Sequence, residues 1–141
     1  TTLDIEIVSK AIQLVDIESI KNKKYFEISD GQLQKTMIAR AIAQDTPIII
    51  LDEPTTHLDF KNSVLILKLL QKLSFETEKC IVFSTHEINL ALQIATEMIV
   101  MTSEKVVQDS PKNIIETKIL ETLFDDQNVF FFFFFEKFIL Q

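Results

Sequence analysis

One glycine, three prolines, one cysteine, one tyrosine and no tryptophan occur in these 141 residues. A chain of average composition carries about ten glycines, and with one none of its segments can form the glycine-rich G-x-x-x-x-G-K-[ST] loop that cradles nucleotide phosphates. The single cysteine, Cys80, excludes an internal disulfide and fits a reducing compartment. Its setting in Cys80-Ile81-Val82-Phe83 predicts a buried structural thiol rather than a nucleophile. Positive charge is scarce as well: 14 Lys and Arg stand against 21 Asp and Glu, a net charge of -7. The one basic cluster, Lys21 to Lys24, is too short for a nucleic-acid or anionic-lipid surface, which needs grouped Lys and Arg. No apolar run approaches the ~20 residues of a bilayer span, and no charged-then-apolar leader opens the chain. The sequence therefore predicts no direct membrane insertion and a cytoplasmic setting.

What is present is a domain's worth of core, since 47% of the residues are apolar. Val8, Ala11, Ile12 and Val15 recur at helical spacing, and a basic irregular stretch follows to Phe26. A second helix is written over residues 32–44 by Leu33, Met37, Ile38, Ala41 and Ile42, and Asp45-Thr46-Pro47 ends it. Ile48 to Leu51 is continuous and rich in β-branched residues, which predicts a strand buried on both faces. Ile66, Leu69, Leu70 and Leu73 mark the next helix, and Cys80 to Ser84 a second buried strand. Strand, helix and strand in that order predict a parallel pair. Further along, residues 87–95 read as a helix, Met98 to Met101 as a strand, and Lys105 to Gln108 as its hairpin partner. Ser110-Pro111 caps and opens a short helix through Ile114 and Ile115. Phe130 to Phe135 is a homopolymer without any periodicity that could assign it to a face.

Three short segments can carry chemistry. Ser29-Asp30-Gly31-Gln32 opens a helix, with serine at the cap and glutamine three residues later. This is a capping box, and the same geometry offers Ser29, the Gly31 N–H and the helix dipole to an anion. Keeping the only glycine here suits a place where backbone lies against a ligand. Asp52-Glu53 stands at the carboxyl end of a buried strand, either as a polar turn or at the edge where α/β sheets place their ligands. In the second case Asp52 would hold Mg²⁺ and Glu53 would orient an attacking water. His86 follows the second strand and so emerges at the same edge. His57 has no metal-binding spacing with His86 and reads as a loop residue beside the more informative Asp59.

Taken in order, Ile28-Ser29-Asp30-Gly31-Gln32, then Ile48-Ile49-Ile50-Leu51-Asp52-Glu53-Pro54-Thr55-Thr56-His57-Leu58-Asp59, then Ser84-Thr85-His86 resemble the C-terminal half of an ATP-binding cassette (ABC) ATPase, over roughly residues 5–125. In that family these are the signature motif, the Walker B strand with its catalytic glutamate, the D-loop and the switch histidine. The resemblance implies an α/β fold: a partial P-loop NTPase core of parallel strands flanked by helices, plus the end of the helical subdomain. It divides the chain into 1–44, the helical subdomain with the signature; 45–101, the core half; 102–128, a hairpin and helix; and 129–141, a phenylalanine-rich tail. It implies ATP and Mg²⁺ as ligands, with Asp52 on magnesium, Glu53 as base and His86 at the γ-phosphate. Ser29, Gly31, Gln32 and Asp59 would contact nucleotide across a head-to-tail pair, either a homodimer or a pairing with a second ABC ATPase. Transmembrane permease subunits would hold the assembly at the inner face of the cell membrane.

The likeness has departures. The family's usual signature has leucine at position 28 and glycine at position 30, so Asp30 brings negative charge toward a phosphate site. The Walker A loop, the glutamine-bearing loop and the adenine-stacking aromatic lie upstream in the family and are missing, so the 141 residues alone are expected to be inactive. Thr85-His86-Glu87-Ile88 and the short hairpin after Met101 look most like ATPases of iron-siderophore, haem or cobalamin importers. The soluble translation-factor branch is the alternative within the superfamily. Outside it stands a non-enzymatic truncated or frameshifted product, in which the phenylalanine run would be foreign to the fold and removable at no cost. Strands Ile48 to Leu51 and Cys80 to Ser84 would then be left without neighbours, open to aggregation. A buried C-terminal strand or helix end ranks below this reading of the run, since six identical rings cannot alternate between core and solvent.

Overall fold

A computed structural model of the protein describes residues 1–124 and 130–135. Two helices come first, α1 (Thr2–Leu14) and α2 (Asp30–Ala43), joined through single 3-10 turns at Glu18–Ile20 and Tyr25–Glu27. They pack on one another, with Ala11 of α1 and Ile38, Ala39 and Ile42 of α2 buried, while Val8 and Met37 of the expected apolar stripes are exposed. The rest mixes strands and helices: β1 (Ile48–Leu51), α3 (Phe60–Thr77), β2 (Cys80–Ser84), α4 (Ile88–Ile94), β3 (Glu97–Met101), β4 (Val106–Asp109), α5 (Pro111–Glu116), a 3-10 segment at Ile119–Phe124, and β5 (Phe130–Phe135).

The strands form one five-stranded sheet in the order β1-β2-β5-β3-β4. β1 and β2 are parallel, with Ile48 opposite Cys80 and Leu51 opposite Phe83, as strand-helix-strand order predicts. The other pairs are antiparallel, which makes the sheet mixed. The β3–β4 hairpin turns where the Thr102 N–H donates to the Lys105 carbonyl at 2.8 Å. Lys79 ties the start of β2 to the approach to β1, donating to Asp45 Oδ1 and to the Thr46 carbonyl, each at 2.9 Å. That hydrogen bond, and then the ammonium charge, hold the Asp45 carboxyl below the usual carboxylate range.

The structure corrects the expectations for β1, for Cys80 and for the phenylalanine run. β1 is not buried on both faces. Ile49, Ile81, Phe83, Phe133, Phe135, Met98 and Val100 are buried, and the strand registers put them on a single face, against which α3 packs. On the opposite face Ile48 is 55% and Ile50 73% exposed. Cys80, the register partner of Ile48, is accordingly half-buried rather than enclosed.

The phenylalanine run is not foreign to the fold. Residues 130–135 form the middle strand of the sheet, pairing with β2 on one side and β3 on the other. β2 thus has neighbours on both sides, and among the described residues β1 alone of the parallel pair keeps an open edge. Phe133 and Phe135 enter the core and stack on Phe83, with ring centroids 5.6 and 5.1 Å away. A strand can be written in one apolar letter when one face is core and the other is half-covered. Residue 129 and residues 136–141 of the expected tail lie outside the described residues, as do residues 125–128.

Candidate active site

The carboxyl ends of β1 and β2 lie side by side because the two strands are parallel and in register, which brings Asp52 and Glu53 next to Ser84. The Ser84 hydroxyl accepts from the Glu53 N–H at 2.9 Å and donates to Asp52 Oδ1 at 2.7 Å. One hydroxyl therefore fixes both acids. Glu53 adopts φ 45°, in the left-handed region, where a side chain with a Cβ costs on the order of 1–2 kcal/mol. Its carboxylate is gripped at both oxygens: Thr56 Oγ1 donates to Oε2 at 2.8 Å, and His86 Nε2 lies 2.6 Å from Oε1. The His86 side chain is 87% exposed, so this contact stands at the rim of the sheet, open to a ligand.

The Ser29 turn stands at the start of α2. Ser29 Oγ accepts from the Gln32 N–H at 3.3 Å, and the Gln32 side chain accepts from the Ser29 N–H at 3.1 Å, completing the expected capping box. Asp30 stands exposed in the first helical turn, where an acid suits the helix dipole. Ser29, Gly31, Gln32 and Lys35 share a cleft of about 230 Å³ with Asn62 of α3. Asp59 caps α3, accepting from the Asn62 N–H at 2.8 Å. His57 is exposed, with φ 66°.

Ser84 and Thr56 were not anticipated as members of the site. The available signal was a hydroxyl at the end of each motif. Thr56 reaches Glu53, three residues away, within a local turn, whereas the partners of Ser84 follow only from strand register. Among the described residues no three His, Cys, Asp or Glu side chains converge as a metal-ligand set. The donors at Asp52 are hard oxygens, one carboxylate and one hydroxyl, which suits Mg²⁺. That ion characteristically takes one or two protein carboxylates and completes its shell with water and phosphate.

A family model described as ABC transporter matches residues 4–56, which take in Ser29, Gly31, Gln32, Asp52 and Glu53. An ABC transporter ATP-binding protein of Methanocaldococcus jannaschii is 40% identical over 129 residues, 91% of this chain and 44% of that protein. The chain belongs to the ABC transporter ATP-binding family. Another ABC relative, the petrobactin import ATP-binding protein of Bacillus subtilis, is 39% identical over 119 residues, 84% of this chain and 47% of that protein. In three dimensions, an inward-facing transporter described as of metal-chelate type superimposes with a TM-score of 0.80 at 27% identity, covering 99% of this chain and 59% of that one. The chain spans somewhat less than half the length of the curated ABC proteins it matches.

Proposed function

We propose that the chain supplies the signature and Walker B half of an ATP-hydrolysing subunit that powers import of a metal chelate of the iron-siderophore, haem or cobalamin kind. The observation that carries this reading is the Glu53 carboxylate, held by Thr56 and His86 beside an Asp52 fixed by Ser84. Phosphoryl transfer to water asks a protein for positioning and charge stabilisation more than covalent chemistry. Glu53 orients the attacking water and takes its proton at Oε1 or Oε2. Thr56 and His86 keep that carboxylate in one orientation, and the exposed His86 ring would meet the terminal phosphate from beside it. Asp52 would hold Mg²⁺, which when bound neutralises charge on the phosphates. With one glycine these residues cannot form a phosphate-cradling loop, so chain outside them must hold the phosphates.

Ser29, Gly31 and Gln32, at a helix start in a cleft with Lys35, would act on nucleotide held by a second subunit; a helix N-terminus that suits an anion supports this reading. Petrobactin import by one relative and the metal-chelate type of a structural neighbour support the substrate class. Permease subunits would then anchor a cytoplasmic pair at the membrane; no helix among the described residues is long and apolar enough to cross it.

The test is a chimera in which this chain replaces the matching segment of the Bacillus relative. It should hydrolyse ATP, and Glu53→Gln should lower kcat by about 10²-fold or more while leaving ATP affinity unchanged. Unchanged turnover in that variant overturns the assignment.

A further inference from the structure

Among the described residues, Glu87 Oε2 is the buried side-chain polar atom that lacks a hydrogen-bond partner. Burying part of a carboxylate is costly, and its place needs a reason. Glu87 is the N-cap residue of α4, yet its side chain makes no capping bond. It reaches instead to α3, where Glu87 Oε1 accepts from Ser63 Oγ at 3.0 Å, and Ser63 is fully buried. The Glu87 N–H donates to Thr85 Oγ1 at 3.1 Å. Thr85 Oγ1 in turn lies 3.3 Å from Thr55 Oγ1, and both threonines are buried. The residues on either side of His86 are thus anchored, one to the first turns of α3 and one to the turn that follows Glu53, while the His86 ring itself stands in solvent.

We propose that Glu87 is a positioning residue for His86. Its carboxylate, docked on Ser63, fixes the backbone of residues 85–87 and so delivers His86 Nε2 to Glu53. The geometry of that pair then depends on the seating of α3, the helix whose Asn62 also lies in the cleft with Gly31. This rests on the reading of Glu53 and His86 as a working pair, but it is tested without ATP.

The chain has two histidines, so a long-range ¹H–¹⁵N imidazole spectrum contains two ring systems, with His57 as internal reference. Glu53→Gln identifies His86 by the shift it causes. Glu87→Ala and Ser63→Ala should each move the His86 Nε2 signal in the same sense while leaving His57 and the cooperative unfolding transition in place. Glu87→Gln keeps an acceptor for Ser63 and should restore the wild-type signal, a rescue that a role through charge would not give. Folded Glu87→Ala or Ser63→Ala protein with an unmoved His86 overturns the proposal, as does a Glu87→Gln spectrum like that of Glu87→Ala. If Glu87→Ala fails to fold, Ser63→Ala decides. In the chimera, Ser63→Ala should lower turnover by about 10²-fold, the cost of a small misplacement. A moved His86 signal in a chimera whose turnover ignores Glu53→Gln would uphold the positioning role and reject the hydrolytic reading.

Discussion

Gly31 occupies the second position of α2 with a φ outside the left-handed region, and a methyl group placed on it would meet only the Asn62 carboxamide, at an ordinary 3.8 Å. The described residues enter the left-handed region at Asp16, Asp45, Glu53, His57, Glu78 and Lys118, never at a glycine. Neither backbone geometry nor packing within the chain accounts for glycine at position 31, and the proposed function supplies a reason in the close approach of nucleotide. Gly31→Ala should therefore leave the urea midpoint unchanged or raise stability by up to about 1 kcal/mol, alanine being the better helix former, while chimera turnover falls. A destabilised Gly31→Ala protein would make the glycine structural. At this scale the acids and His86 were legible because motif spacing names them. The clasp that holds them was not, because Ser84 reaches Asp52 across 32 residues of sequence and only the register of β1 on β2 aligns the two.

Elements written by contrast between polar and apolar residues were legible: α1, α2, α3 and the β1-α3-β2 unit follow from periodicity that a local window contains. β5 has no contrast to read. Six identical rings also leave its register undetermined, since a slip of two residues presents the same face. Specific side-chain bonds fix it: Ser74 Oγ donates to the Phe135 carbonyl at 2.8 Å, and the Thr96 hydroxyl and N–H donate to the Phe134 carbonyl at 3.0 and 2.9 Å. This register makes chemically identical substitutions unequal. Phe133→Ala, which removes a fully buried ring, should cost about 3–5 kcal/mol by urea denaturation. Phe130→Ala, at an exposed ring, should stay within about 0.5 kcal/mol. Equal losses at the two positions would mean that the strand does not sit as described.

Across the whole molecule the sheet has one covered and one half-covered face, and among the described residues β1 adds an open edge beside exposed Ile48 and Ile50. Apolar surface of this kind drives association. Ile50→Lys should change unfolding stability by no more than about 0.5 kcal/mol and shift the protein toward monomer in sedimentation velocity at raised concentration. Loss of folding in that variant would show the face to be covered. Reading the Ile48 strand as buried twice over took hydrophobicity as a measure of burial, whereas burial also requires something to lie on the surface. The sequence by itself determined the helices, the parallel β1–β2 unit, the acids at its end and the family, because periodicity, capping and motif spacing act within short reaches of chain. The tertiary structure decided which sheet face is core, where the phenylalanine strand inserts and which hydroxyls grip the acids. Apart from the local Thr56–Glu53 bond, those outcomes rest on pairings far apart in sequence, such as the 31 positions between Glu53 and Ser84 and the 61 between Ser74 and Phe135, and such pairings exist only once the strands have found their register.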